Sequence, residues 1–233
     1  MKTERLKIAI LSGAGISAES GISTFRDQNG LWENHDIMEV ASITGWIKNP
    51  ALVLDFYNKR RAQLKQVECN RAHMICALLD NHHDVTIITQ NVDDLHERAG
   101  SKNIIHLHGE LLSARSEFDE TIKIRCDGDI LPGDLAPDGH QLRPDIVWFG
   151  EMVPKLEEAA LIVSNCDILI IVGTSLLVYP AAGLINYAFT AKSIYIVDPN
   201  LRPKDIPNFN NQRMQLINET AGHGMQLVFD AIT

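Results

Sequence analysis

Short apolar runs rich in isoleucine and valine alternate along the chain with segments that have helical spacing. The runs have the length and β-branched composition of buried parallel strands, and they cover residues 6–11, 85–89, 104–107, 168–172 and 194–197. Helical patterns lie between them at residues 50–65, 72–81 and 155–164. This alternation predicts an α/β fold in which a doubly wound, Rossmann-like parallel sheet carries helices on both faces.

Two stretches do not fit the alternation. Residues 24–72 form a long excursion, which we interpret as a loop followed by helices. Residues 112–141 are polar and rich in Asp, Gly and Pro, with a weak hairpin signal at 121–126. We expect both stretches to form a smaller module inserted into the sheet domain. The predicted boundaries assign residues 1–24, 73–111 and 142–233 to the sheet domain and residues 25–72 and 112–141 to the smaller module.

A glycine turn follows the first predicted strand. Gly13-Ala14-Gly15 comes directly after the strand, and a helix is predicted from Ile16 onward. Glycine permits a positive φ and a close approach of the backbone to a ligand, while free N–H groups at a helix start can hold a phosphate. The loop therefore predicts a pyrophosphate cradle, although the next glycine is Gly21 and the G-x-G-x-x-G spacing fails. A tight turn, or a site for another phosphate, is the alternative.

The second predicted strand ends in a polar cluster that contains Gln90, Asn91 and Asp93. An asparagine amide both donates and accepts, and an aspartate accepts from an NH₂ group, so Asn91 and Asp93 together can bind a carboxamide. Helix capping is the alternative, because both residue types are favoured at helix starts.

The ends of the third and fourth strands carry further candidates. His108 is placed to act as a general base near neutral pH, although a structural histidine is the alternative. Gly173-Thr174-Ser175 offers backbone N–H groups and hydroxyls that suit ribose or phosphate oxygens. The run Val147-Trp148-Phe149-Gly150-Glu151 predicts either an exposed strand that pairs with an extended peptide or another core strand.

The composition of the chain argues against two classes of binding partner. A formal net charge of −9 argues against non-specific binding to nucleic acid or to an anionic membrane. The apolar run at residues 6–11 is too short for a secretion signal, and no other segment approaches the length of a bilayer span. The four cysteines form no C-x-x-C pair. We therefore expect a cytoplasmic monomer with reduced thiols.

These motifs also occur together in one order along the chain, at residues 13–17, 20–22, 25–26, 89–93, 108–109, 147–151 and 173–175. The ordered set resembles the sirtuins, which are NAD-dependent protein-lysine deacylases, and it is most similar to the bacterial CobB type. The resemblance runs from about residue 7 to residue 178 and continues more weakly to the C-terminus.

The resemblance implies that NAD binds between the sheet domain and the smaller module and that acyl-lysine proteins are the substrates. It implies that His108 is the base that deprotonates a ribose hydroxyl and that Asn91 and Asp93 bind the nicotinamide carboxamide. Residues 147–151 match the strand on which the substrate backbone lies. The implied products are nicotinamide, lysine and 2′-O-acyl-ADP-ribose.

Other cofactor contacts are implied in the same way. Ala14, Phe25 and Arg26 match a loop that closes over NAD, and Asp198 or Asn200 is expected to face the adenosine ribose. The full implied set is Gly13, Ala14, Gly15, Ile16, Phe25, Arg26, Gln90, Asn91, Val92, Asp93, Gly173, Thr174, Ser175, Asp198, Asn200 and Ala221.

Tyr57 and Arg60 stand three residues apart on one face of a predicted helix. A phenol and a guanidinium can together bind a carboxylate through charge-assisted hydrogen bonds. This Y-x-x-R pair resembles the one with which a class of sirtuins recognises succinyl- and malonyl-lysine, so we expect a combined deacetylase and desuccinylase. An ordinary basic helix face is the alternative.

The sequence departs from the sirtuin pattern at the structural zinc. The positions expected for two cysteine pairs hold Ser116, Asp119, Leu135 and Asp138. Residues 112–141 offer only Cys126 and His140 as sulfur or nitrogen ligands, whereas structural zinc requires four. We therefore predict no zinc, and a module packed around Phe118, Ile122, Ile124 and Ile130.

Other functions remain as alternatives. A mono-ADP-ribosyltransferase on the same fold is the nearest, and His108 with the Tyr57–Arg60 pair favours deacylation over it. A non-catalytic NAD or ADP-ribose binding module is a second alternative, which the presence of Asn91, Asp93 and His108 argues against. A conventional dehydrogenase is disfavoured because the acidic residue of its fingerprint is missing.

Overall fold

A computed structural model describes residues 5–23, 31–209 and 212–233. Its strands are β1 (Lys7–Ser12), β2 (Leu31–Trp32), β3 (His35–Asp36), β4 (Asp84–Thr89), β5 (Ile104–His106), β6 (Gly109–Ser116), β7 (Lys123–Arg125), β8 (Leu142–Ile146), β9 (Ile168–Val172), β10 (Ser193–Val197) and β11 (Met214–Ile217). The α-helices are α1 (Ile37–Val40), α2 (Ile43–Lys48), α3 (Pro50–Leu64), α4 (Arg71–Leu79), α5 (Leu95–Arg98), α6 (Leu156–Ser164) and α7 (Ala221–Ile232). Short 3₁₀ helices span Ala14–Ser20, Ala181–Tyr187 and Pro203–Asp205.

Six parallel strands form the main sheet, in the order β11-β10-β9-β1-β4-β5. The chain builds outward from β1 on one side and from β9 on the other, so the strand order reverses between these two neighbours. In sheets of this kind, ligands bind outside the carboxyl ends of the strands at such a reversal. The predicted α/β class and its five strands are confirmed to within one or two residues at each end.

The two faces of the sheet are packed as the strand period requires. Ile8 and Ile10 of β1 pack under α4 and α7, whereas Ala9 and Leu11 face α6 and the 3₁₀ helix at Ala181–Tyr187. Successive side chains of a strand point to opposite faces, so helices on both sides require continuous apolar runs.

A second layer is built from a three-stranded antiparallel sheet, in the order β7-β6-β8, and from α1, α2 and α3. We call this layer the small module. Its core contains Trp46, Tyr57, Leu142 and Trp148. Strand β6 crosses the boundary expected at residues 111 and 112, and it pairs with β8, which was expected in the sheet domain. The proposed division of the chain into domains remains a prediction.

Of the four residues predicted to form the core of the small module, two pack in or against it and two do not. Ile130 is buried and Ile122 packs against the core, but Phe118 is 77% exposed and Ile124 is also exposed. Phe118 instead stacks on His140, with ring centroids 4.6 Å apart. Ile124 lies on the edge strand β7, whose three residues are all exposed.

The glycine turn after β1 also differs from its prediction. The segment that follows is a 3₁₀ helix, and the N–H groups of Gly13, Gly15 and Ile16 already donate to Val172, Gly173 and Gly13 carbonyls, respectively. These three N–H groups are therefore not free for a phosphate. A Cβ on Gly15 would lie 2.7 Å from Gly173 Cα, so glycine is needed here for the close packing of two strand ends.

No helix in the described ranges is both long enough and apolar enough to cross a bilayer.

Candidate functional site

A cavity of about 480 Å³ opens at the carboxyl ends of β1, β4 and β9, between the main sheet and the small module. Most of the predicted site residues line it together: Gly13, Ala14, Gly15, Tyr57, Arg60, Gln90, Asn91, Val92, Asp93, His108, Val147, Trp148, Phe149, Gly150, Glu151, Gly173, Thr174, Ser175, Asp198, Asn200 and Ala221. Ile16 does not line the cavity, because its side chain is fully buried in the core under the sheet. Phe25 and Arg26 lie outside the described residues.

The polar cluster after β4 is held together by a serine. Ser17 Oγ donates to Asp93 Oδ2 at 3.0 Å and accepts from Asn91 Nδ2 at 3.1 Å. Asp93 Oδ1 also accepts the backbone N–H of Leu95, so this residue stabilises the start of α5 as well. Burial raises the pKa of Asp93, while its hydrogen bonds to Leu95 and Ser17 oppose the shift. The cluster is thus a rigid, buried amide–carboxyl pair at the cavity.

His108 is held in one tautomer. Its Nδ1 lies 3.0 Å from the carbonyl oxygen of Gln90, which can only accept, so Nδ1 carries the proton. Nε2 is then the basic nitrogen. Burial lowers the pKa of His108, although the Gln90 carbonyl opposes this. The imidazole is therefore neutral at neutral pH and ready to accept a proton.

Gln90 and Thr174 connect two strand ends. Gln90 Nε2 donates to Thr174 Oγ1 at 3.1 Å, and the same hydroxyl oxygen accepts the N–H of Leu176. This link joins the ends of β4 and β9 across the end of β1, and so spans the point where the strand order reverses.

At the far end of the cavity, Asp198 closes its own turn by accepting the N–H groups of Asn200 and Leu201. Ala221 begins α7. The next N–H group, that of Gly222, donates to Glu19 Oε2 at 2.7 Å, so an internal carboxylate already caps this helix. Sequence reasoning missed Glu19, which is an unremarkable charged residue until the chain returns 203 positions later.

Tyr57 and Arg60 lie on α3 and both line the cavity. The Tyr57 hydroxyl oxygen accepts a hydrogen bond from Trp148 Nε1 at 3.0 Å. Burial raises the pKa of Tyr57, so it remains a neutral phenol with its own proton to donate. Arg60 Nη1 pairs with Glu33 Oε1 at 2.6 Å. Burial lowers the pKa of Arg60 and Glu33 opposes the shift, so this is a desolvated but paired cation.

The predicted exposed strand at residues 147–151 is not regular, since β8 ends at Ile146. Phe149 pairs with the chain around Ser42: its N–H donates to the Ala41 carbonyl, and its own carbonyl accepts from Ile43 N. Only Phe149, at 41% exposure, and Gly150 are exposed within this segment. The alternation of the sequence did not reveal which face would be inside.

Trp148 is 2% exposed and faces the core of the small module. The guanidinium carbon of Arg143 lies 3.4 Å from the centroid of its ring. Glu151 accepts from Arg143 Nη1 at 2.7 Å, from Arg115 at 3.1 Å and from the Trp148 N–H at 2.8 Å. The side chains of Trp148 and Glu151 are therefore held by partners within the protein, and the expected binding of a substrate backbone along residues 147–151 remains a prediction.

His106, the last residue of β5, was also missed. Its Nδ1 lies 3.1 Å from the Asn91 carbonyl oxygen, and its Nε2 lies 2.7 Å from Glu97 Oε1. Burial lowers the pKa of His106, but Glu97 outweighs burial and the net shift is upward. Both partners accept, so the ring is a buried imidazolium behind Asn91. The signal in the sequence was its position two residues before His108, at the end of the same predicted strand.

Comparisons with known proteins agree with this arrangement. The model of the Sir2 family matches residues 13–180, which is more than half of the chain. The chain belongs to the Sir2 family. This Sir2-family chain is 60% identical over 219 residues to an NAD-dependent protein deacylase of Helicobacter pylori (strain ATCC 700392 / 26695), a match that covers 94% of each chain. It is 46% identical to an NAD-dependent protein deacylase of Bacteroides thetaiotaomicron, again over 94% of each chain.

Solved Sir2 structures share the fold of this Sir2-family chain. A mutant Sir2 homologue in complex with ADP-ribose superposes with a TM-score of 0.85 at 35% identity and covers 96% of this chain and 90% of its own. A Sir2 homologue in complex with NAD gives a TM-score of 0.83 at 35% identity, with 96% and 88% of the two chains covered.

In this Sir2-family chain, hydrogen bonds join positions where cysteines were expected. Ser116 Oγ donates to Asp138 Oδ2 at 2.6 Å and accepts the N–H groups of Phe118 and Asp119. The Asp138 carboxylate also accepts the His140 N–H. Residues 5–23, 31–209 and 212–233 contain no group of three or more His, Cys, Asp or Glu side chains that could hold a metal ion. The residues here do not fit a structural zinc, and its absence from the protein remains a prediction.

Proposed function

We propose that this protein is an NAD-dependent protein-lysine deacylase that removes acetyl groups and also succinyl and malonyl groups. The proposal rests above all on His108, a neutral imidazole whose Nδ1 is held by Gln90 and whose ring lines the same cavity as the Asn91–Asp93 pair. The relatives named as NAD-dependent protein deacylases support the same activity.

The cavity fits NAD. Asn91 and Asp93 are buried polar side chains that open onto it, and an amide beside a carboxyl group has the donors and acceptors for a carboxamide. Thr174 and Gly173 line the same cavity, and we assign them to the ribose oxygens because a hydroxyl and backbone N–H groups suit such oxygens. When bound, NAD supplies an activated ribose carbon and nicotinamide as the leaving group, and the acyl group moves from lysine to that ribose.

The protein's own residues then have three tasks. Asn91 and Asp93 orient the carboxamide, and Ser17 keeps the two side chains in place. His108 Nε2 takes the proton from a ribose hydroxyl, which general-base catalysis makes more nucleophilic. Gly150 is exposed beside the cavity, and its backbone is the place proposed for an extended substrate segment, because both backbone groups of Phe149 are already hydrogen-bonded within the chain. With one water molecule consumed from solvent, the expected products are nicotinamide, free lysine and 2′-O-acyl-ADP-ribose.

Tyr57 and Arg60 account for the acidic acyl groups in this proposal. The phenol keeps its proton and accepts from Trp148, so its O–H is available to donate to a carboxylate. The Arg60 guanidinium supplies the opposite charge. We further propose a cytoplasmic enzyme, on the basis of its four free cysteines, and one without zinc, on the basis of the hydrogen bond between Ser116 and Asp138. A monomer remains the expected oligomeric state.

Acetyl-, succinyl- and malonyl-lysine peptides assayed with NAD test the proposal. Wild type should release nicotinamide with each peptide, and His108→Tyr should lower the rate by about 10²-fold or more with all three, the range expected for loss of a general base. His82→Tyr, which changes an exposed histidine away from the cavity, is the matched control. Nicotinamide release that is unchanged in His108→Tyr would contradict the proposed mechanism.

A further inference from the structure

Arg60 already has a carboxylate partner inside the protein. Arg60 Nη1 lies 2.6 Å from Glu33 Oε1. The Arg60 side chain is only 10% exposed, whereas that of Glu33 is 32% exposed. Trp32 covers the guanidinium from one side, with 5.4 Å between the Arg60 guanidinium carbon and the ring centroid. A carboxylate of this chain therefore holds the group that we assign to the carboxylate of the substrate.

The hairpin that presents Glu33 is unusual. Strands β2 and β3 are joined by only Glu33 and Asn34, and both have positive φ, at 50° and 66°. Turns of this geometry favour Gly, which has no Cβ to clash with the backbone, and Asn and Asp, whose short polar side chains can hydrogen-bond locally. Glutamate is thus kept at an unfavourable backbone position, which points to a role for its side chain.

The other groups that face Arg60 do not neutralise it. Tyr57 is an uncharged phenol. Asp93 acts on Arg60 through space and shares no ion pair with it among the described residues. A largely buried guanidinium without a counterion is costly. When a neutral acetyl group fills the pocket, Glu33 is the counterion of the Arg60 guanidinium.

We propose that Glu33 is a specificity-determining residue, the resting counterion of Arg60 that an acidic acyl group displaces. With acetyl-lysine the Arg60–Glu33 pair stays closed. With succinyl- or malonyl-lysine the acyl carboxylate replaces Glu33, whose greater exposure lets it turn to solvent. This exchange allows one pocket to accept neutral and acidic acyl groups, and it lowers the affinity for acidic ones. The inference rests on the proposed acyl preference.

Glu33→Gln tests the exchange, because it removes the charge and keeps the shape. It should raise kcat/KM for a succinyl-lysine peptide, mainly through a lower KM, and lower kcat/KM for the acetyl-lysine peptide. We expect the succinyl-to-acetyl ratio to rise about fivefold, the size expected for one partly buried ion pair. Glu39→Gln removes one charge from an exposed position of α1 and should leave the ratio unchanged.

A second variant shows whether Glu33 acts through Arg60. In an Arg60→Met background, Glu33→Gln should no longer change the ratio. A succinyl-to-acetyl ratio that stays constant or falls in Glu33→Gln, with an active wild type, would overturn the role of Glu33 alone. A wild type that removes acetyl but not succinyl or malonyl groups would overturn both the acyl preference and the inference built on it.

Discussion

The two sides of the cavity differ in the charge of their buried side chains. On the sheet side, formed by Gln90, Asn91, Asp93 and His108, the hydrogen-bond partners of Asp93 and His108 are uncharged, and burial favours the neutral forms of both side chains. On the module side, formed by Tyr57, Arg60 and Trp148, the charge of Arg60 is retained and paired with Glu33.

This difference separates two tasks. A neutral imidazole and an amide–carboxyl pair serve any substrate that brings the same cofactor, whatever its acyl group. A paired guanidinium responds only to the charge of the acyl group. We therefore expect changes on the sheet side to affect all acyl groups alike, and changes on the module side to alter the ranking of acyl groups.

The largest effect that separates the sides is expected from Arg60→Met. Loss of the guanidinium removes a charge-assisted contact to the acyl carboxylate, so kcat/KM for succinyl-lysine should fall roughly 30-fold relative to that for acetyl-lysine, which corresponds to about 2 kcal/mol. Lys59→Met is the matched control, since Lys59 is exposed and pairs only with Asp55 among the contacts of the described chain. Equal losses with both peptides would mean that Arg60 does not read the acyl charge.

A smaller effect, common to all acyl groups, is expected from pH. Burial lowers the pKa of His108 below its ordinary value of 6.5, and the neutral form is the base. As pH rises through that lowered pKa, kcat/KM should increase and then stay constant at neutral pH, with the same inflection for acetyl- and succinyl-lysine. Profiles of kcat/KM against pH measure this. An inflection above pH 6.5 would contradict the lowered pKa of His108. An inflection that differs between the two peptides would contradict the expectation that the sheet side affects all acyl groups alike.

The sheet side was largely predictable from the sequence, and the reason is local. Buried parallel strands are short continuous apolar runs, and the residues just after them must gather at one edge of the sheet. Asn91 and His108 follow such runs directly. The contacts of Ser17 and His106 were not predicted, because their hydrogen-bond partners, Asp93 and Glu97, are brought to them by the tertiary fold.

The module side was less predictable. Strand β6 pairs with β8 across an intervening stretch of polar chain, and neither strand has a clear apolar run. For the segment that contains Trp148 the sequence left an exposed strand and a core strand open, and the ring is buried here against a hydrogen-bond partner, Tyr57. The Arg60–Glu33 pair joins residues 27 positions apart through a two-residue turn of a kind that glutamate rarely occupies.

Product analysis tests the central claim most directly. Wild-type protein, NAD and a succinyl-lysine peptide should yield nicotinamide, unmodified lysine peptide and succinyl-ADP-ribose in equal amounts by mass spectrometry. ADP-ribose attached to protein in place of succinyl-ADP-ribose, or nicotinamide release without loss of the acyl group, would contradict the account.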